Sequence, residues 1–260
     1  MIEIPDEEYP PLPDFRLDGR DALITGASSG IGAACARALA SAGARVTLVA
    51  RARDKLERLA ERIESDGGSA RVAPCDVLDT EGFARVVDAM PGLHIMLNNA
   101  GSNRPAPFLE VTHTDFDAVV DINLRAAFFC AQAAARRMVA AAEGGSIINM
   151  SSQMGKVGGR RRTVYCATKH ATEGLTRAMA LDLAEYNIRV NSVCPTYIET
   201  PMTRPFLADD DFRNETLVKI PLGRLGQVGD IAGTVVFLAG DAAALMTGSS
   251  LVVDGGWTAQ

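Results

Sequence analysis

The sequence predicts an α/β fold in which a parallel, doubly wound sheet is covered by helices on both faces. Short apolar runs alternate with longer helical patterns along almost the whole chain. Seven such runs occur, and most are nearly continuous in apolar residues, as expected for strands that are buried on both faces. A glycine-rich turn joins the first run to the first helical pattern. This alternating order implies right-handed crossovers between parallel strands.

The composition is that of a globular domain with a large core. Of the 260 residues, 47% are hydrophobic and 22% are charged, which suits a single α/β domain. The net charge of -6 argues against nucleic acid or an anionic membrane surface as a partner. The five cysteines are scattered without CxxC spacing, so we predict neither a metal site nor a disulfide framework.

The first 14 residues predict a flexible acidic N-terminal arm. They include four prolines and the acidic run Asp6-Glu-Glu8, but neither a basic region nor an apolar core of a secretory signal. No apolar run approaches the ~20 residues that span a bilayer. Together with the unpaired cysteines, this pattern predicts a cytoplasmic protein.

The elements follow in order along the chain. Strands are predicted at residues 22–25, 46–50, 71–74, 95–98, 146–150, 189–194 and 251–254. Amphipathic patterns predict helices at residues 32–42, 54–64, 114–142, 164–186 and 227–239. The first helix should end at Gly43, because glycine is common just beyond helix ends. No repeat or linker is visible, so residues 15–260 are predicted to form one domain.

The segment 195–226 is the least regular part of the chain. It contains four prolines and the acidic run Asp209-Asp-Asp211. It follows the carboxyl end of a predicted strand, which is where ligands bind in such sheets. We interpret it as a lid over a site, with a solvated surface loop as the alternative.

The glycine-rich turn predicts a phosphate-binding loop. Glycine permits positive φ angles and lets a ligand approach the backbone, and the start of the next helix offers free N–H groups to a pyrophosphate. The spacing Gly-x-x-x-Gly-x-Gly differs from the common dinucleotide pattern Gly-x-Gly-x-x-Gly, so a tight turn without ligand is the alternative. The residues predicted to contact the dinucleotide here are Gly26, Ser28, Ser29, Gly30, Ile31 and Gly32.

Arg51 indicates which dinucleotide is bound. The second predicted strand ends at Ala50, about 20 residues beyond the loop, where an acidic residue would hold the 2′-hydroxyl of NAD, and Arg51 follows directly. An arginine there would instead pair with the 2′-phosphate of NADP. We therefore predict NADP, with NAD as the alternative if Arg51 is only a solvated surface charge.

Tyr165 and Lys169 form a candidate acid/base pair. They are four residues apart in a predicted helix, so their side chains share one face. An ammonium group near a phenol favours the phenolate and lowers its pKa toward the range of a useful base. Ser151 and Ser152 follow a predicted strand whose carboxyl end lies on the same rim. A serine hydroxyl there could bind the oxygen of a substrate.

These motifs together resemble the short-chain dehydrogenase/reductase family over residues 15–257. Residues 25–32 are similar to its coenzyme loop, Asp76 and Val77 to its adenine-contacting pair, and Asn98-Asn99-Ala100-Gly101 to the motif beside its cofactor. The resemblance implies a Rossmann-type, seven-stranded fold and hydride transfer between a nicotinamide and an alcohol or ketone. It further implies cofactor contacts from Asn99, Ala100, Gly101, Pro195, Ile198 and Thr200, as well as from Tyr165 and Lys169.

The resemblance also implies catalytic roles. Tyr165 would be the general acid/base, Ser152 would position the substrate oxygen, and Lys169 would lower the pKa of the tyrosine and hold the ribose. Asn123 would hold a water molecule that links Lys169 to solvent. Ser152 is preferred to Ser151 because it precedes Tyr165 by the family's usual spacing. No metal is required.

Two further features concern the loop after strand 189–194 and the assembly. The family usually has Pro-Gly where this chain has Pro195-Thr196, so the path of that loop is expected to differ.

The family commonly forms tetramers through the helices that carry Asn123 and Tyr165. We therefore expect a homotetramer or a homodimer.

The substrate prediction rests on the residues around Tyr165. Two segments that should line the pocket hold a polar, basic set: Asn103, Arg104, Gln153, Lys156, Arg160, Arg161 and Arg162. This set favours a sugar, polyol or sugar acid. The residues predicted to bind the substrate are Arg104, Ser152, Gln153 and Arg161.

Two other functions remain open. The basic segments could instead dock an acidic carrier protein, as in an NADPH-dependent 3-oxoacyl-carrier-protein reductase. A non-catalytic dinucleotide-binding sensor is a remote alternative, because it would be expected to lack one of the four catalytic positions.

Overall fold

Seven parallel strands form one sheet in the order β3-β2-β1-β4-β5-β6-β7 in a computed structural model that describes residues 14–260. The strands are β1 (Asp21–Thr25), β2 (Arg45–Ala50), β3 (Ser69–Pro74), β4 (Ile95–Asn98), β5 (Gly145–Met150), β6 (Ile188–Pro195) and β7 (Ser250–Val253). The order reverses between β1 and β4, which makes this the topological switch point of a doubly wound sheet. The predicted fold class is confirmed, and the acidic arm predicted for residues 1–14 lies almost entirely outside the described residues.

Helices connect the strands and cover both faces of the sheet. They are α1 (Gly30–Ser41), α2 (Arg53–Ser65), α3 (Thr80–Asp88), α4 (His113–Val120), α5 (Ala127–Ala141), α6 (Thr163–Leu183), α7 (Arg204–Leu207), α8 (Asp210–Val218) and α9 (Val228–Ala239). Gly43 has a φ of +108° just beyond α1, and its N–H donates to the Ala40 carbonyl at 2.9 Å. The predicted end of the first helix is therefore confirmed.

The core lies on both sides of the sheet because side chains alternate along each strand. On β1, Ile24 packs in a cluster with Leu39 of α1 and Leu238 of α9. Leu23 points to the other face, where it belongs to a cluster with Phe83 of α3. All of these side chains are fully buried.

A π-helical stretch, Asp121–Ala126, joins α4 to α5 and carries Asn123. Such stretches within α-helices occur mostly at functional sites. The whole run His113–Ala141 is long and apolar enough to cross a bilayer by length and composition alone. However, 44% of its most apolar window is buried within the fold, as in the core helix of a globular domain.

Three helices were not predicted. In α3, Asp79 caps the N-terminus by accepting a hydrogen bond from the Gly82 N–H, and Phe83 and Val87 form its buried face. In the segment predicted to be irregular, α7 and α8 are present. The acidic run at 209–211 starts α8 because Asp209 accepts from the Phe212 N–H, and acidic residues stabilise the first turn of a helix.

Candidate active site

A long cavity of about 470 Å³ runs along the carboxyl ends of the strands at the switch point. Every residue predicted from the sequence to contact the dinucleotide lines this cavity, which we call the long groove. These residues are Gly26, Ser28, Ser29, Gly30, Ile31, Gly32, Arg51, Asp76, Val77, Asn99, Ala100, Gly101, Tyr165, Lys169, Pro195, Ile198 and Thr200. Their contacts with a cofactor stay a prediction, but the structure brings all of them to one groove.

The glycine-rich turn has the conformation that its sequence requires. Gly26 has a φ of +67°, and a Cβ atom at Gly32 would lie 2.4 Å from the Gly26 carbonyl oxygen. Only glycine allows the start of α1 to approach the turn so closely. Ser29 caps α1 without a side-chain hydrogen bond. The N–H groups of the first turn therefore remain available for a phosphate.

Thr25 and Asn99 hold the two sides of the groove together. The Thr25 hydroxyl accepts hydrogen bonds from the N–H groups of Asn99 at 2.9 Å and Ala100 at 3.0 Å. The Asn99 side chain donates to the Thr25 carbonyl at 2.9 Å. This pairing fixes the turn after β4 against the turn after β1, across the switch point.

Arg51 stands at one end of the groove. Its side chain is 77% exposed, and its Nη1 lies 3.9 Å from the Asp76 carboxylate. Lys55, on the first turns of α2, lines the same end. Sequence reasoning missed Lys55, because Arg51 precedes α2 and helical spacing therefore does not relate the two residues. Arg51 and Lys55 thus place two positive charges at this end of the groove, where the sequence predicted one.

Tyr165 and Lys169 lie side by side on α6, as their spacing predicted. The Lys169 Nζ is 5.5 Å from the centre of the Tyr165 ring and donates to the Met150 carbonyl at 2.8 Å. Burial raises the pKa of Tyr165 to about 12, against the effect of a hydrogen bond with Ser152. Burial also lowers the pKa of Lys169 to about 8. The expected lowering of the Tyr165 pKa is therefore not seen in this pair, because burial outweighs the effects that favour the phenolate.

The structure distinguishes the two serines after β5. The Ser152 hydroxyl donates to the Gln153 side-chain oxygen at 2.8 Å and accepts from the Met154 N–H at 3.1 Å, and it contacts the Tyr165 phenol. The Ser151 hydroxyl instead helps to lower the pKa of the Glu173 carboxyl. Both serines line the long groove, but Ser152 is the one that contacts the Tyr165 phenol and also lines the smaller cavity beside it.

Asn123 is buried beneath the site and does not line the long groove. Its side chain accepts from the Ser102 N–H at 2.8 Å and donates to the Ser102 carbonyl at 2.9 Å. It also donates to the Thr168 hydroxyl at 3.2 Å, and that hydroxyl donates to the Tyr165 carbonyl. Asn123 thus joins the π-helical stretch to the helix that carries Tyr165.

A smaller cavity of about 70 Å³ opens beside Tyr165, and it shares with the long groove the residues Ser152, Tyr165, Thr196, Met202 and Thr203. Gln153 lines it, as predicted for a substrate-binding residue. Arg104 and Arg161 do not. Arg104 is exposed and paired with Asp115 at 2.7 Å, and Arg161 is an exposed residue with a φ of +59°.

The arginine that lines the small cavity is Arg162, which follows Arg161. Tyr197 and Phe206 also line it, and both lie in the segment after Pro195 that was interpreted as a lid, although neither was named as a substrate-binding residue. They support the interpretation of residues 195–226 as part of the site. The motion of a lid stays a prediction.

The loop after β6 keeps an ordinary backbone at Thr196. Thr196 does not have a positive φ, and its N–H donates to the Val253 carbonyl at 3.3 Å. A glycine is therefore not required at this position, and the expected difference between the path of this loop and that of the family stays a prediction. Further along, Thr200 packs against the phosphate loop, since a Cβ atom at Gly30 would lie 3.3 Å from it.

Comparisons with known proteins agree with this geometry. A family model described as enoyl-(acyl carrier protein) reductase matches residues 26–258. The D-threitol dehydrogenase of Mycolicibacterium smegmatis is 40% identical over 250 residues, covering 94% of this chain and 95% of that protein. The L-xylulose reductase of Bos taurus is 39% identical, covering 95% of this chain and 99% of that protein.

The fold is also shared with solved structures. A gluconate 5-dehydrogenase from Burkholderia cenocepacia J2315, crystallised in complex with NADP and tartrate, matches with a TM-score of 0.91 and 38% identity. The match covers 95% of this chain and 98% of that one. The relatives, the family model and the seven-stranded sheet agree over nearly the whole chain. The chain belongs to the short-chain dehydrogenase/reductase family.

Proposed function

We propose that this protein is an NADP-dependent oxidoreductase that moves hydride between the nicotinamide and a secondary alcohol or ketone of a sugar, polyol or sugar acid. The observation that carries the proposal is the position of Tyr165 and Ser152, which line both the long groove and the small cavity. A cofactor in the groove and a substrate in the small cavity would meet at these two side chains. The relatives named for threitol, xylulose and gluconate support this substrate class.

Each catalytic residue has a role that its surroundings support. Tyr165 exchanges a proton with the substrate oxygen, and the Ser152 hydroxyl donates a hydrogen bond to that oxygen. Lys169 holds the ribose and, when protonated, favours the phenolate. Asn123 fixes the helix of Tyr165 and would hold a water molecule in the proton path. Bound NADP supplies or accepts the hydride.

The groove fits a dinucleotide carrying a 2′-phosphate. Its walls combine the free helix start of α1 with the cations of Arg51 and Lys55, and a 2′-phosphate would find both charges at one end. NADP bound to the gluconate 5-dehydrogenase supports the same preference. NAD is the alternative cofactor.

Replacing Arg51 by aspartate should move the preference from NADP toward NAD. The new carboxylate repels a 2′-phosphate and can accept hydrogen bonds from the 2′-hydroxyl of NAD. We expect kcat/KM with NADP to fall by about 10- to 100-fold, as for the loss of a charge-assisted hydrogen bond. Steady-state kinetics with both cofactors measure the ratio. An unchanged ratio in both Arg51→Asp and Arg51→Asp/Lys55→Ala would remove these cations from the explanation.

The overall proposal is tested by the near-ultraviolet absorbance of reduced nicotinamide with sugars, polyols, sugar acids and a β-ketoacyl ester. NADPH formed from a polyol or a sugar acid supports the proposal. NADPH consumed only with the β-ketoacyl ester would favour the acyl-carrier-protein reductase. Cofactor binding without turnover of any substrate would favour the sensor.

We also propose a homotetramer or homodimer of single-domain subunits, each formed by residues 15–260, in the cytoplasm. Exposed apolar side chains lie on the two long helices, with Phe128 41% and Leu181 81% exposed. Apolar patches of this kind mark interfaces between subunits. All five cysteines are free, which suits a reducing compartment. Light scattering after size exclusion measures the subunit number.

A further inference from the structure

Three polar atoms in the small cavity have no partner within the described chain. They are the Nε of Arg162, the side-chain oxygen of Asn103 and the hydroxyl of Thr196. Buried polar groups are normally hydrogen-bonded, and each orphaned one costs stability unless a ligand or water satisfies it. Their convergence on one cavity indicates a ligand with both donors and acceptors.

Arg162 is the unusual member of this set. It is only 5% exposed, yet no carboxylate lies within 4.0 Å of it in the described part of the chain. Its polar contacts are with uncharged groups: Nη1 donates to the Arg161 carbonyl at 3.4 Å, the side chain hydrogen-bonds Tyr197, and the guanidinium lies 5.2 Å from the centre of the Phe206 ring. A buried charge is costly unless it is paired.

Other arginines of this chain form ion pairs with carboxylates. Arg45 pairs with the buried Asp21 at 2.6 Å, and Arg224 pairs with Asp230 at 2.7 Å. Both of these arginines are about half exposed, so they need a partner less than Arg162 does. The one arginine buried beside Tyr165 is thus left without the counter-ion that more exposed arginines have.

The residues that line the small cavity also indicate that the counter-ion of Arg162 is a negatively charged ligand. Among residues 14–260, no acidic residue lines this cavity, and Arg162 is its one charged lining side chain. In the long groove the acidic lining residue is Asp76, which lies at the far end beside Arg51. A negatively charged substrate would therefore meet a cation and no carboxylate close to Tyr165.

We propose that Arg162 binds the carboxylate of an open-chain polyhydroxy acid, which makes sugar acids rather than neutral polyols the substrates. This inference rests on the proposed oxidoreductase function and narrows its substrate class. The planar guanidinium matches a carboxylate through two parallel hydrogen bonds. Asn103 and Thr196 then bind hydroxyl groups of the same chain, and the hydroxyl to be oxidised lies at Tyr165 and Ser152.

Arg162 could instead act only through its neighbours. It lies at the start of α6, and it lowers the pKa of Tyr165 and of Tyr197. A purely positioning role of this kind would affect every substrate equally, whereas a carboxylate-binding role affects acids alone. Acidic and neutral substrates of the same length and stereochemistry separate the two roles.

The experiment compares aldonates of four to six carbons with the alditols that differ from them only in carrying –CH₂OH in place of the carboxylate. We expect the wild type to favour aldonates. Arg162→Gln should raise KM for the best aldonate by about 10- to 100-fold with kcat nearly unchanged, as expected for a lost charge-assisted contact. Turnover of the alditol should stay within about threefold at the same pH.

Matched variants keep the result interpretable. Arg161→Gln removes the adjacent, exposed arginine outside the cavity and should leave both substrates unchanged. Arg162→Lys keeps the charge but not the fork, so its KM should be intermediate. In wild type with NADP present, the aldonate should raise Tm, and it should do so less in Arg162→Gln.

Each contrary outcome has a distinct meaning. A wild type that prefers alditols overturns the role of Arg162 while leaving the oxidoreductase function intact. Equal losses for aldonate and alditol in Arg162→Gln also overturn it, because they reveal a positioning role. Activity with neither class, but with a β-ketoacyl ester, overturns the proposed function itself.

Discussion

Replacing Tyr165 by phenylalanine should lower kcat by about 10²- to 10⁴-fold, the range that a positioned general acid/base contributes. The change removes the phenolic proton while the ring, which lies beside Lys169 and between the two cavities, is kept. Binding of NADP should change by no more than a few-fold, because the remaining groove residues are untouched. Turnover is followed by nicotinamide absorbance, and binding by titration of NADPH fluorescence.

Tyr197→Phe is the matched control for this prediction. Tyr197 also lines the small cavity, and burial also raises its pKa, so the same atom is removed a short distance away. Tyr197 does not line the long groove, where the nicotinamide must lie, so its loss should cost at most about tenfold. If Tyr197→Phe were the inactive variant and Tyr165→Phe retained turnover, the acid/base would have been assigned to the wrong tyrosine.

The ionisation of Tyr165 shows a limit of reasoning from spacing. The four-residue spacing correctly places Lys169 beside the phenol, at 5.5 Å from its ring. It does not reveal that burial raises the pKa of Tyr165 and lowers that of Lys169. Burial depends on the elements that close over α6, and these are distant in the sequence. The charge of an oxidised nicotinamide would oppose the effect of burial on Tyr165.

The strands and the cofactor residues were predictable for a common reason. Strands buried on both faces are marked by apolar runs, and the carboxyl ends of parallel strands share one edge. The groups that follow β1, β2, β4, β5 and β6 therefore had to converge, whatever the details of the loops. The loops themselves follow no such rule, which explains why α7 and α8 were missed.

The substrate side depended on loop conformation and was predicted less well. Three consecutive arginines precede α6, and their sequence does not indicate which one points inward. The left-handed backbone of Arg161, with a φ of +59°, leaves that residue exposed and its neighbour Arg162 buried. Non-glycine residues rarely adopt this conformation, so no simple pattern would have predicted it.

Glu173 offers a stability prediction that comes from the structure alone. It lies one helical turn beyond Lys169 on α6 and is 2% exposed. Its carboxylate accepts hydrogen bonds from Lys156 at 2.5 Å, from Cys194 at 3.4 Å and from Ser250. These contacts join the turn after Ser152 and the ends of β6 and β7 to the helix of Tyr165. Glu173 therefore stabilises the frame of the active site.

Replacing Glu173 by glutamine should lower the free energy of unfolding by about 2–4 kcal/mol at neutral pH. Breaking one side of a buried ion pair costs about 3–5 kcal/mol, and the loss is reduced here because the Lys156 side chain is 28% exposed and can reach water. Glu57→Gln is the control, since its pair with Arg53 at 3.5 Å is exposed and should contribute no more than ~0.5 kcal/mol. Denaturation by guanidinium chloride measures both variants.

Glu173→Gln and Glu57→Gln should also differ in how their free energy of unfolding changes at acidic pH. Burial alone would raise the pKa of Glu173, but hydrogen bonds from Lys156 and the serines outweigh burial and lower it to about 2, from an ordinary 4.5. A carboxyl whose pKa is lower in the folded state stabilises the fold above the unfolded value, and this contribution is lost as the pH falls from 4.5 toward 2. Wild type and Glu57→Gln should therefore lose more stability over that interval than Glu173→Gln does. Parallel pH curves for all three proteins would mean that folding does not lower the pKa of Glu173, and the ion pair with Lys156 could not then be what holds the turn after Ser152 against α6.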